Sequence, residues 1–210
     1  MYKNNIQEKE IASRLFLEEL KDGTHFPKYI EVETIRACNA RCIMCTINEW
    51  EKTKNPKMSD ELFNKFVKEV SYYSEWIEAI TLNKDGEPTL DKNLALKIKA
   101  LKDVGIKNVR FTTNGEKLNK EFAIKVLEAG IDEVMFSIDS IEKSTYEKIR
   151  IGLDFEKVMG NIQQFLILKQ QISPNSKVTI RMVEMPETRQ GKDKWIEFWS
   201  SKISDRKSVV

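Results

Sequence analysis

All three cysteines of the 210-residue chain fall within eight positions: Cys38, Cys42 and Cys45, spaced C-x3-C-x2-C. Thiolates carried by one short loop can meet at a metal centre, and the chain has no other thiol to join them. The missing fourth ligand decides the chemistry. A structural zinc site takes four protein ligands and closes its tetrahedron. An iron–sulfur cubane takes one cysteine per iron, four in the usual case. Three cysteines on a cubane leave one iron open to a small molecule. An open iron on a strongly reducing cluster is a place for chemistry.

Two plainer readings compete. A Cys3His zinc site could recruit His25, the one histidine of the chain. That residue stands thirteen positions before Cys38 and lacks the short paired spacing of zinc motifs. A disulfide framework fits less well, because the cysteine count is odd and the N-terminus lacks the apolar core of a signal peptide. The alternative to an enzyme is therefore a non-catalytic or truncated metal-binding module, holding zinc or iron–sulfur.

Cys38-x3-Cys42-x2-Cys45 resembles the signature of the radical S-adenosylmethionine (radical SAM) enzymes. The resemblance implies a [4Fe–4S] cluster on the three cysteines, with S-adenosylmethionine chelating the open iron. It implies reductive cleavage of the sulfonium to methionine and a 5′-deoxyadenosyl radical, which takes a hydrogen atom from a substrate. In such enzymes the cofactors carry the chemistry and the protein positions them. The family often has an aromatic residue before the last cysteine; here Met44 stands there, a polarizable side chain able to cover a cluster face. Relatives of this style act on peptides, protein side chains or carbohydrates. A reducing partner such as flavodoxin or ferredoxin is implied as well.

The elements that must position these groups alternate. Strands are predicted over Tyr29–Ile35, Ile77–Leu82, Asn108–Thr113, Glu133–Ile138 and Val178–Val183. Helices are predicted near Gln7–Leu20, Asp60–Tyr73, Asn93–Asp103, Lys120–Ala129, Phe155–Gln171 and Asp193–Ile203. Ser59 and Asp154 read as N-caps, and Ser144-x-x-Glu147 as a capping box for a short extra helix. Gly105 and Gly130 stand just past helix ends, where a left-handed residue is wanted. Alternating β and α elements predict a parallel α/β sheet. Periodicity leaves an open doubly wound sheet and a partial barrel both standing. The resemblance implies the second, a partial (β/α)6 barrel like a TIM barrel, with active residues at the carboxyl ends of the strands. On this reading residues 1–28 form an N-terminal helical extension and 29–210 the core domain.

Each predicted strand ends in polar residues. After the second comes Asn83-Lys84-Asp85-Gly86-Glu87-Pro88, similar to the family's G-G-E-P segment, with Asp85 in place of the first glycine. The resemblance gives Glu87 the amino group of S-adenosylmethionine. The third strand ends Thr112-Thr113-Asn114-Gly115, similar to a T-N-G segment lining the cofactor pocket, which implicates Asn114. Past the fourth, period-two alternation puts Ser137 and Asp139 on one face, and the matching family positions bond ribose hydroxyls. Arg150 matches an arginine that pairs with the cofactor carboxylate, for which a guanidinium fork is well shaped. Arg181 and Glu184 fall on the fifth strand, where a charge calls for a partner or a site.

Composition excludes several classes. Lys plus Arg number 35 against 33 Asp plus Glu, a net charge of +2 that argues against a dedicated nucleic-acid surface. Apolar residues at 40% and charged residues at 32% read as an ordinary globular chain. No segment has the apolar length to span a bilayer, and the cytoplasm is the expected compartment. Neither G-x-G-x-x-G nor a Walker-type loop is present. The last residues, Lys207-Ser208-Val209-Val210, look like the opening of a sixth strand, so a truncated chain is expected. Relatives of the SPASM subgroup continue into a C-terminal domain with auxiliary clusters, for which this chain has no cysteine left.

Overall fold

Five short apolar runs become strands: β1 (Tyr29–Glu31), β2 (Ala79–Thr81), β3 (Val109–Thr113), β4 (Glu133–Ser137) and β5 (Lys177–Arg181). They pair in the order β1-β2-β3-β4-β5, and every pairing is parallel. This computed structural model describes residues 26–49 and 56–203, with Lys9, Ala12 and Ser13. His25 and the expected sixth strand lie outside the described residues, as does nearly all of the expected opening helix. A doubly wound sheet reverses its strand order at a switch point. This sheet runs in simple sequence order, as the wall of a barrel does, and so resolves the choice that periodicity left open.

The crossovers are helical: α1 (Asp60–Ser71), α2 (Leu94–Asp103), α3 (Lys120–Glu128), and α4 (Lys143–Ile149) with α5 (Phe155–Ile172); α6 (Pro186–Arg189) and α7 (Lys192–Lys202) follow β5. Ile80, Val109, Phe111, Val134, Phe136 and Ile180 of the strands are wholly buried. Each such side chain contributes roughly 1.5–3 kcal/mol of burial. Phe136 meets Phe165 of α5 edge-on, ring centroids 5.5 Å apart. Trp195 of α7 is buried and donates its indole N–H to the Ile138 carbonyl at 2.8 Å, which ties that helix to the end of β4.

The expected caps form at α1 and α5. Ser59 Oγ accepts from Leu62 N at 3.2 Å and Asp154 Oδ1 from Lys157 N at 3.0 Å, each worth about 1 kcal/mol. Gly105 and Gly130 take φ of 89° and 86° beyond α2 and α3. The capping box does not form. Helix α4 begins at Lys143, so Ser144 sits inside its first turn, and the N-cap Glu142 makes no side-chain cap. Glu147 instead accepts from Phe155 N at 3.2 Å. No helix of the described residues is long and apolar enough to cross a membrane.

β2 and β4 stop one residue earlier than their sequences suggest, and β1 and β5 stop earlier still. Beyond β1, Val32 N still reaches Thr81 O at 2.8 Å, but Ile35 forms an antiparallel bridge with Lys57. The cysteine segment is thereby closed at its base. β5 ends at Arg181. Arg181 is solvent-exposed and needs no buried partner. Glu184 lies off the strand and pairs at the surface with Lys192 and Arg189.

Candidate active site

The carboxyl ends of all five strands open onto one cavity of about 260 Å3. Cys38, Cys42 and Cys45 line it, all from the loop after β1. Asn83–Glu87, Thr112–Asn114, Ser137 and Val183 enter from behind β2, β3, β4 and β5, and Arg150 from the end of α4. A larger hollow of about 450 Å3 lies between α5 and the start of β5 and holds none of these groups. It lies at the amino end of β5, away from the cysteines, so the smaller cavity is the candidate site.

The loop is held in place by backbone contacts. Glu87 N donates to Ala37 O at 2.8 Å, which ties the Gly-Glu-Pro segment to the residue before Cys38. Gly86 is obligatory there, because a Cβ would stand 1.9 Å from Ile35 O. Asp85 stands just before it. Its amide and that of Gly86 both donate to Glu33 Oε1, at 3.0 and 2.9 Å. Reasoning from sequence did not single out Glu33; its signal was an acidic residue at the exit of an apolar strand.

Glu87 is 3% exposed, and its carboxylate accepts four hydrogen bonds. Oε1 takes Thr89 N at 3.0 Å, Thr89 Oγ1 at 2.6 Å and Thr113 Oγ1 at 2.7 Å; Oε2 takes Asn114 N at 2.7 Å. Burial pushes the carboxyl above its ordinary range, and these donors pull it back. The oxygens are unequally used, and Oε2 keeps capacity for a further donor.

Asn114 joins the third strand to the cysteines. Its Nδ2 donates to Asn39 Oδ1 at 2.9 Å and lies 4.0 Å from Cys38 Sγ. Asn39 in turn donates to Glu116 Oε2 at 2.7 Å. Asn39 and Glu116 also escaped the sequence reading, although Asn39 lies inside the cysteine motif.

Ser137 and Asp139 part company. Ser137 lines the cavity, whereas Asp139 lies outside its lining and is 1% exposed. Both oxygens of Asp139 are engaged: Oδ2 by Arg150 Nε at 2.6 Å, Oδ1 by Val183 N at 2.9 Å. The Asp139 carboxylate is thus committed to an ion pair with Arg150 and to the Val183 amide. Arg150 Nη1 stands 3.7 Å from Cys42 Sγ.

Burial raises the Cys38 thiol to about 11, and the negative charges of Glu87 and the other cysteines add to the rise. Burial also raises Cys42, while the charge and hydrogen bond of Arg150 lower it. A centre that binds thiolates must supply positive charge to overcome this.

The donor set, three thiols and no fourth within the cysteine loop, fits a cluster with one open iron. No three His, Cys, Asp or Glu side chains among the described residues are placed to grip one metal ion. Zinc needs its thiolates about 2.3 Å from one centre, whereas a cubane needs one thiolate per iron. No disulfide joins the cysteines, and all three share one cavity with acceptors and a guanidinium at its rim.

The pattern of the Radical SAM superfamily matches residues 32–198. Among curated relatives, the "Probable GTP 3′,8-cyclase" of Sulfurisphaera tokodaii is 35% identical over 64% of this chain and 42% of its own length. The "GTP 3′,8-cyclase" of Nautilia profundicola is 33% identical over 76% of this chain and 56% of its own. The chain thus spans about half the length of the curated relatives it matches. In fold it is similar to Streptococcus suis SuiB bound to S-adenosylmethionine, with a TM-score of 0.69 at 15% identity. That match covers 97% of this chain and 50% of SuiB. The match of the superfamily pattern across most of the chain, on a parallel sheet whose strand ends gather three cysteines into one cavity, makes this chain a member of the radical SAM superfamily, which uses a [4Fe–4S] cluster and S-adenosylmethionine.

Proposed function

We propose that this chain binds a [4Fe–4S] cluster through Cys38, Cys42 and Cys45 and cleaves S-adenosylmethionine to start a hydrogen abstraction. The observation that carries this reading is the shared cavity of the three cysteines with the ends of all five strands. When bound, the cluster and S-adenosylmethionine supply the reducing electron and the bond that breaks. The chain's own residues bind and orient. Asn114 and Asn39 tether the loop at Cys38. Glu87, held by four donors, lines the cavity and offers its less-used oxygen, Oε2, as an acceptor for the cofactor's amino group. Ser137 supplies a hydroxyl at the rim of the same cavity for the ribose. Arg150, with donors beyond those spent on Asp139 and Cys42, offers a cation to the cofactor carboxylate. Asp139 acts through Arg150 as a positioning residue.

An external reductant, such as a flavodoxin or ferredoxin, delivers the electron. For the substrate, the relatives named GTP 3′,8-cyclase support a nucleoside triphosphate as the first compound to try, ahead of a peptide or carbohydrate. Anaerobic reconstitution with iron and sulfide tests the cluster: about four irons per chain are expected. Cys42→Ala should remove them. A colourless protein with one tightly held zinc would instead favour a structural metal module.

A further inference from the structure

The approach of Arg150 to Cys42 is built into the backbone. Arg41 N donates to Ile151 O at 2.8 Å and Ile43 N to Ile149 O at 3.0 Å. Residues 41–43 and 149–151 therefore run side by side in opposite directions, with Cys42 opposite Arg150. The seam ends at Gly152, whose φ is 93° and where a Cβ would come within 3.2 Å of Asn39 O. From the other side, Asp139 holds the guanidinium through Nε at 2.6 Å and is itself fastened to Val183 N at 2.9 Å. The Asp139 side chain is wholly buried and that of Arg150 is 12% exposed. Three segments, after β4, after α4 and after β5, thus fix one guanidinium so that Nη1 lies 3.7 Å from Cys42 Sγ.

We propose that Arg150 donates a charge-assisted hydrogen bond to the Cys42 sulfur and so raises the reduction potential of the cluster which that sulfur holds. The inference rests on the reading above that Cys42 is a cluster ligand. Hydrogen bonds to ligating sulfur and local net charge are two levers on the potential of such clusters. Reduction adds one electron from an external donor and makes the cluster more negative. A fixed cation beside one of its sulfurs favours that state, and low exposure keeps solvent from screening it. Asp139 positions the cation and offsets part of its charge.

The test is a redox titration of reconstituted protein, with dithionite as reductant and paramagnetic resonance of the reduced cluster as readout. It is run without S-adenosylmethionine, so that any pairing of Arg150 with the cofactor carboxylate does not enter. Arg150→Gln should lower the midpoint, cutting the reduced-to-oxidised ratio at fixed potential about tenfold, which is 59 mV for a one-electron couple. Asp139→Asn should shift the midpoint the opposite way. A merely structural role predicts no such pair of opposite signs. Arg150→Gln with full iron content and an unchanged midpoint overturns the proposal. Should that variant lose its iron, Asp139→Asn decides: an upward shift supports the proposal, and an unchanged or lower midpoint overturns it. Wild-type protein that takes up no iron overturns the cluster reading itself, and this proposal with it.

Discussion

Replacing Gly86 by alanine should damage both stability and chemistry, and the size of the effect follows from one contact. The added Cβ would stand 1.9 Å from Ile35 O, whereas real Cβ contacts do not fall under 3.0 Å. Relieving it moves backbone by about 1.1 Å, the difference between those two distances. Both partners are main chain, so no side chain can swing aside. The shift stretches the Gly86 bond to Glu33 at 2.9 Å and the Glu87 N bond to Ala37 O at 2.8 Å. Overpacking costs about 1–3 kcal/mol, and each stretched hydrogen bond about 1 kcal/mol more. A loss of roughly 3–5 kcal/mol in urea unfolding is expected. Because Glu87 moves with the segment, cofactor cleavage should fall about 100-fold, as for other misplacements near 1 Å. Gly160 is the control. It lies exposed inside α5 with nothing within 4 Å of a built Cβ. Gly160→Ala should stabilise by about 0.5–1 kcal/mol. A Gly86→Ala protein as stable and active as wild type would refute the close approach of the two segments.

Asp91 and Lys97 form a buried ion pair at 2.6 Å, with Lys57 at 3.1 Å, so Asp91→Asn should cost about 3–5 kcal/mol in urea unfolding. Burial works to raise the Asp91 carboxyl, but Lys97, the Asn93 amide and Lys57 together hold it below its ordinary range. Its folded value is thus lower than its unfolded one. The contribution to stability is present above the unfolded carboxylate range, near pH 4, and is lost as pH falls through the folded value. Unfolding measured from pH 5 downward should show this slope in wild type and a shallower one in Asp91→Asn. Asn39→Ala removes bonds to Glu116 and Asn114 at 2.7 and 2.9 Å, and should cost about 1–3 kcal/mol while speeding iron loss to a chelator. Asp154→Ala removes the cap of α5 and should cost about 1 kcal/mol in the same unfolding assay, with iron content unchanged.

The alternation of elements was legible because parallel strands covered on both faces read as apolar runs and their crossovers as amphipathic ones. The caps at Ser59 and Asp154 were legible for the same local reason. Where tertiary contacts compete, local pattern failed. Ser144 and Glu147 have capping-box spacing, yet Glu147 is drawn to Phe155 N, and the helix starts two residues earlier than that box requires. Alternation places Ser137 and Asp139 on one face, but Asp139 lies two residues past the end of β4 and only Ser137 lines the cavity. The Asp139 carboxylate answers to Arg150, eleven residues on. Glu33 was not legible as a site residue because its partners are main-chain amides some fifty positions away, which no spacing encodes. The cysteine motif is the opposite case. Its chemistry is carried by residue type and short spacing, so it could be read without a fold.

The central claim is that three cysteines leave a cluster open to S-adenosylmethionine, which the chain then cleaves. Reconstituted protein, reduced with dithionite and given S-adenosylmethionine under anaerobic conditions, tests it without any substrate. The account predicts 5′-deoxyadenosine and methionine in equal amounts, with neither formed by Cys42→Ala. Full iron loading with no 5′-deoxyadenosine above the Cys42→Ala background would contradict it.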